Sequence, residues 1–217
     1  MPTVPGTSDR ARASRRPVEN GGRVLIARYG GCMTRIIAGA AGSTTLRVPK
    51  SGTRPTSDRV REALFSSLES RGLIDDTSVA DLYAGTGALG LEAASRGAVE
   101  VSLVDRAAPA AAACRENAKA VQKRLPGVRI AVHAQPALGY LRTTAKTFDL
   151  VFIDPPYEAP ESELTDVLDA LVSRLTPEAV VVVERGSRSP EPTWPAGLTP
   201  FSKRSWGDTV AWEAVAD

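Results

Sequence analysis

The chain has 217 residues and a mass of 22.9 kDa, enough for one ordinary domain with a modest appendage; without a membrane span or signal-peptide core, it is expected to be soluble and cytoplasmic. Two cysteines, Cys32 and Cys114, and a single histidine, His133, cannot build a disulfide framework or an ordinary zinc site, so no metal is expected and His-based triads are disfavoured. The net charge of +2 is unevenly divided: through Glu62 there are 12 Lys/Arg against 4 Asp/Glu, and beyond it 15 against 21, so the first third is either a polyanion contact or a solvated basic tail.

Residues 1–32 mix Pro, Ser, Gly and Arg without apolar periodicity and are expected to form a flexible basic leader. Met33 opens the first patterned segment, so the leader is either a natural extension or the product of an upstream start. Arg35-Ile36-Ile37-Ala38 and Thr45-Leu46-Arg47-Val48 flank a turn from Gly39 to Ser43, which predicts a small N-terminal β-hairpin within residues 33–52. The main domain is expected over residues 53–217. It starts with a helix from about Ser57 to Ser70 that buries Val60, Leu64 and Leu68 and points Arg59 and Arg61 elsewhere.

From Val79 the pattern alternates. Predicted strands at Val79–Tyr83, Val101–Val104 and Arg129–Val132 are followed by helices near Leu89–Arg96, Pro109–Arg124 and Pro136–Thr143. A strand ending at Asp154, a helix near Glu161–Arg174 and a buried run at Val180–Val183 continue the series. Repeated βα units with short connections imply an α/β fold with a mostly parallel, doubly wound sheet. Leu198–Lys203 and Thr209–Glu213, on either side of Trp206-Gly207-Asp208, predict a closing antiparallel hairpin.

Two strand ends carry the chemistry. Asp81-Leu82-Tyr83-Ala84-Gly85-Thr86-Gly87-Ala88-Leu89-Gly90 is a glycine-rich turn opening a helix, and Asp105 ends the next strand about twenty residues later. Free helix N–H groups suit a carboxylate or phosphate, and an acid at Asp105 can accept both hydroxyls of a ribose. A dinucleotide site shares these features, so spacing alone leaves the ligand open. The second end is Phe148-Asp149-Leu150-Val151-Phe152-Ile153-Asp154-Pro155-Pro156-Tyr157, where two prolines hold Asp154 stiffly at the carboxyl end of a buried strand.

In this order, Asp81-x-Tyr-x-Gly-Thr-Gly, Asp105 and Asp154-Pro-Pro-Tyr157 resemble class I S-adenosylmethionine-dependent methyltransferases that act on exocyclic amines. Met33-x-Arg-Ile-Ile-Ala-Gly39, Arg54-Pro-Thr-Ser-Asp-Arg-Val-Arg-Glu-Ala-Leu-Phe65 and Gly90-Leu-Glu-Ala-Ala-Ser-Arg-Gly-Ala98 narrow the resemblance to the RsmD family of 16S rRNA guanine-N2 methyltransferases, over roughly Met33 to Trp212. The resemblance implies a Rossmann-like sheet of seven strands, with Asp81, Gly85 and Gly87 at the methionine end of S-adenosylmethionine and Asp105 on its ribose. Tyr83, Thr86 and Arg106 complete the implied cofactor set. Many methyltransferases hold the adenine amine with an acid after the third strand; here Gln135 or backbone groups take that place. Glu92 and Arg96 are either helix charges or cofactor contacts.

At the corner, the Asp154 carboxylate and the Pro155 carbonyl can accept the two N–H bonds of an exocyclic amine, with Pro156 fixing the turn and Tyr157 stacking on the base. Cytosine C5 chemistry would need a cysteine nucleophile near the prolines, but Cys114 belongs to an Ala-rich helix and Cys32 to the leader. Arg35, Arg47, Lys50, Arg54, Arg59 and Arg61 are the candidate phosphate contacts, with a structural role as the rival reading for Arg54 and Arg59. The family likeness implies 16S rRNA in an assembling 30S subunit as partner and S-adenosylhomocysteine as product, and a monomer is expected. Amino methylation of DNA, at adenine N6 or cytosine N4, or of a protein glutamine remains compatible with the corner, as does an inactive RNA-binding module.

Overall fold

The computed structural model describes residues 34–48 and 58–217. The leader, Cys32, Lys50 and Arg54 lie outside the described residues.

Strands β1 (Thr34–Arg35) and β2 (Thr45–Leu46) pair antiparallel. Their ladder is shorter than the apolar run around Ile36 predicts, because the peptide N–H groups of Ile37 and Ala38 donate to the Glu92 carboxylate, at 2.7 and 3.0 Å, and not to a sister strand. Gly39 takes a left-handed φ of 77°, and a Cβ there would lie 1.9 Å from the Ser95 carbonyl oxygen. Only glycine lets the turn approach that carbonyl, which accepts the Ala40 N–H at 2.8 Å.

Helix α1 (Asp58–Ser70) buries Arg61, Leu64, Phe65 and Leu68, a stripe of threefold and fourfold spacings. Then follow β3 (Ser78–Leu82), α2 (Ala88–Ser95), β4 (Glu100–Val104), α3 (Ala108–Gln122), β5 (Arg129–His133), α4 (Ala137–Thr143), β6 (Phe148–Ile153) and α5 (Glu161–Val172). Strands β7 (Leu175–Gly186), β8 (Leu198–Trp206) and β9 (Thr209–Ala216) complete the sheet. Most predicted boundaries shift by a residue or two. Strand β7 is longer than its valine run, because it continues past Glu178, at φ 63°, and Thr176 bonds back to Asp149 at 2.7 Å.

The seven-stranded order is β5-β4-β3-β6-β7-β9-β8, parallel from β5 to β7 and antiparallel at β9 and β8. Its direction of growth reverses between β3 and β6, and a crevice opens at such a reversal beyond the strands' carboxyl ends. Alternate residues fill two cores. Val79, Leu150, Phe152, Val180 and Val182 pack with Phe65, Leu68 and Leu91, while Ala80, Leu82, Val151, Ile153 and Val183 pack with Leu141, Leu164 and Leu168. Phe65 meets Phe152 at 5.4 Å between ring centroids, so α1 covers the strand that ends at the corner.

Candidate active site at the ends of the central strands

The loop between β3 and α2 winds left-handed at Tyr83, Gly85 and Gly87, with φ of 73°, 54° and 78°. Tyr83 and Ala84 both donate their N–H to the Val104 carbonyl at 2.9 Å, tying the loop to β4. Gly90 has a separate purpose: a Cβ there would stand 2.5 Å from Leu103 Cδ2 and 3.0 Å from Val101 Cγ1, so its absence lets α2 close on β4. Asp81 is buried beneath that helix and accepts the Gly90 N–H at 2.9 Å. Burial pushes its carboxyl up to about 7, the Asp105 charge adds to the effect, and the Gly90 bond opposes it.

Asp105 accepts the Gly85 N–H at one carboxylate oxygen and the Ala107 N–H at the other, each at 2.8 Å. A carboxylate has about four acceptor positions, so lone pairs remain for a further ligand. It borders a cavity of about 170 Å³ with Tyr83, Arg106, Leu138 and Glu163. Gln135 does not line this cavity, whereas its neighbours Pro136 and Ala137 do. The Tyr83 hydroxyl donates to Glu163 at 3.0 Å, and burial together with that acid raises the phenol's pKa. Arg106 stands 3.8 Å from the same carboxylate. Thr86 is buried, and its carbonyl accepts a bond from Asn117 at 2.9 Å. Cys114 donates its thiol to the Gly85 carbonyl at 3.3 Å, and burial pushes that thiol up.

Beyond β6, Asp154 lies half-buried, Pro155 is buried, and Pro156 and Tyr157 face solvent. A turn closes by the Ala159 N–H donating to the Pro156 carbonyl at 2.9 Å. Strand alternation and register place Asp81, Asp154 and Glu184 on one face, at the ends of the neighbouring strands β3, β6 and β7. Burial raises the Asp154 carboxyl well above the usual range, and the charges of Glu184 and Asp81 raise it further. Partial access to water at the mouth of the crevice tempers that shift without reversing it. Among the described residues, no group of His, Cys, Asp and Glu is placed to hold a metal ion.

The basic residues separate into two kinds. Arg35, Arg47 and Arg59 are exposed, with Arg47 only 3.6 Å from Glu116. Arg61 is not available to phosphate, contrary to the expectation from its charge. It is 1% exposed, bonds Thr34 Oγ1 and Asp58 at 3.0 Å and the Arg35 carbonyl, and lies 3.9 Å from Glu92. Its position three residues before Leu64 turns it inward, where it fastens the hairpin. Glu92 and Arg96 are likewise paired within the protein: Arg96 joins Glu92, Glu69 and Glu62 at 2.8 to 2.9 Å.

Three residues escape a reading by motif. Glu184 directly follows the Val180–Val183 run, the same acid-after-strand signal as Asp105 and Asp154. Glu163 had no such signal. Asn117 sits inside an Ala-rich helix, yet it accepts the Arg47 N–H at 2.8 Å and donates to the Arg47 carbonyl at 3.0 Å, linking β2 to the glycine loop.

The family model described as conserved hypothetical protein 95 matches residues 34–214. Ribosomal RNA small subunit methyltransferase D of Escherichia coli K12 is 37% identical over 165 residues, 75% of this chain and 79% of that protein. The Haemophilus influenzae protein of the same name is 33% identical over 159 residues, 72% and 80% of the two chains. A solved hypothetical protein of Thermus thermophilus superposes with a TM-score of 0.69 at 28% identity, covering 83% of this chain and 98% of its own. A magnesium protoporphyrin IX methyltransferase of Synechocystis PCC 6803, solved with bound SAM, shares the fold alone: its TM-score is 0.57 at 15% identity, over 76% and 87% of the chains. Because the family match runs through the hairpin as well as the sheet and its glycine loop, the chain belongs to the RsmD family of ribosomal RNA small subunit methyltransferases.

Proposed function

We propose that the protein transfers a methyl group from S-adenosylmethionine to the exocyclic N2 of a guanine in 16S rRNA, acting as a cytoplasmic monomer on the assembling 30S subunit. The observation that carries this reading is the convergence of the glycine loop, Asp105 and the Asp154 corner at the ends of β3, β4 and β6. S-adenosylmethionine, when bound, supplies an electrophilic methyl group on a cationic sulfur. The residues present fit it. Asp105 has acceptor positions left for ribose hydroxyls, the cavity beside Leu138 suits a planar ring, and the acids Asp81 and Glu184 near the strand ends favour positive charge.

An aromatic amine is a poor nucleophile because its lone pair is delocalised into the ring. Asp154 and the Pro155 carbonyl would accept its two N–H bonds, turning the lone pair out of conjugation and stabilising the charge that develops on nitrogen. Tyr157 would hold the extruded base by stacking, and positioning would supply much of the acceleration. Loss of a proton from the alkylated amine to water needs no strong base. The exposed Arg35, Arg47 and Arg59, with Lys50 and Arg54 from the neighbouring sequence, would meet RNA phosphates. The names of the relatives support ribosomal RNA as the substrate class.

The test is transfer of labelled methyl from S-adenosylmethionine to 30S particles lacking the mark, followed by nucleoside analysis. N2-methylguanine is expected. Label appearing only in DNA or in a protein glutamine would reassign the acceptor. No transfer, with no S-adenosylmethionine binding in calorimetry, would leave an RNA-binding module.

A further inference from the structure

We propose that Gly186 is a positioning residue: by lacking a side chain, it fixes the plane in which Tyr157 meets the acceptor base. The inference rests on the base-stacking reading above and deepens it. Gly186 ends β7 and pairs with Thr209 of β9, an ordinary ladder position where glycine weakens a strand. It is not among the glycines with positive φ, so the backbone does not require it. The neighbouring ring, where it now lies, leaves no room for a side chain. A Cβ on Gly186 would lie 2.6 Å from Tyr157 Cε1 and 3.4 Å from Cδ1, so one edge of the ring rests on the bare backbone.

The seat is stiff and the ring is not enclosed. Ser187 donates its N–H to the Asp208 carbonyl, and Ser189 donates to the Gly186 carbonyl, both at 2.9 Å. Arg185 is buried and paired with Glu161 at the start of α5, bracing the end of β7 against the segment that carries Tyr157. Tyr157 itself is 65% exposed, leaving ring surface for a partner. Two residues before Gly186, Glu184 acts on the Asp154 carboxyl, so one strand sets both the acid's surroundings and the height of the ring. A methyl group at position 186 would move the ring without touching the core.

The experiment is a double-mutant cycle on the full chain, with methyl-deficient 30S particles and S-adenosylmethionine. Gly186→Ala should melt within about 2 °C of the parent, since an exposed ring can swing aside. It should bind S-adenosylmethionine unchanged and lose about tenfold in kcat/KM for the particles, the scale of one stacking contact. In a Tyr157→Ala background the same substitution should change kcat/KM less than about twofold, because no ring remains to displace. A comparable loss in that background, or parental activity for Gly186→Ala where Tyr157→Ala is impaired, overturns the proposal. If Tyr157→Ala is itself fully active, the stacking reading fails together with the inference; if the parent transfers no methyl, the proposed function fails.

Discussion

Glu92 is the residue whose removal tests the architecture most sharply. It is fully buried in α2, accepts the N–H groups of Ile37 and Ala38, and pairs with Arg96 at 2.9 Å and Arg61 at 3.9 Å. In Glu92→Ala, two buried guanidiniums lose their shared counter-charge but keep Asp58 on Arg61 and Glu62 and Glu69 on Arg96, so the change lies at the low end of about 3–5 kcal/mol. Two peptide donors lose their acceptor at about 1–3 kcal/mol each if they stay dry, but they regain water when the hairpin lifts. These terms share partners and do not add, so the net expected loss is about 4 kcal/mol, a large part of the roughly 5–15 kcal/mol that holds a domain folded. Urea unfolding gives the number. Hydrogen exchange gives the place, since protection at Ile37 and Ala38 should fall before that of β3 and β6. Glu92→Gln keeps an acceptor oxygen without the charge and should cost less. A loss below about 1 kcal/mol with hairpin protection intact would refute the reasoning. Unchanged stability with abolished S-adenosylmethionine binding would make Glu92 a cofactor contact instead.

Four further substitutions probe the buried acids and the basic residues. The Asp81 carboxyl is raised from its ordinary 3.8 to about 7, so the folded state holds a proton that the unfolded chain has lost; stability should fall as pH rises from about 4 to 7. The interval corresponds to about 4 kcal/mol, and Asp81→Asn, which keeps an acceptor for Gly90, should flatten that part of the curve in unfolding experiments across pH. Asp154→Ala should abolish most methyl transfer while calorimetry shows S-adenosylmethionine affinity nearly intact; a parallel loss of affinity would give Asp154 a role in holding the cofactor. Arg59→Glu should raise KM for 30S particles at low salt, with the difference fading at high salt, whereas Arg61→Gln should lower stability by about 3 kcal/mol in urea unfolding.

Much of this molecule is readable from short stretches of chain. The valine and isoleucine runs are too apolar for anything but buried strands, Asp-Pro-Pro stops one of them abruptly, and Gly-Thr-Gly opens a helix. Regular alternation of such pieces leaves little choice but a parallel sheet, and Trp206-Gly207-Asp208 announces the antiparallel ending. These signals are local because backbone conformation responds to the residue itself and its near neighbours. The destinations of charges and the reasons for particular glycines are not local. Arg61 is an arginine among exposed arginines until α1 packs against β1; Glu92 and Arg96 are helix charges until the hairpin's peptide groups arrive from more than fifty residues away. Glu184 joins Asp154 through the register of β6 with β7, and Gly90 and Gly186 are explained by Leu103 and Tyr157, which no spacing rule connects to them. Pattern fixes which face a residue occupies, but the neighbour that shares this face comes from a distant segment, and its contact sets the cost of a charge or a methyl group.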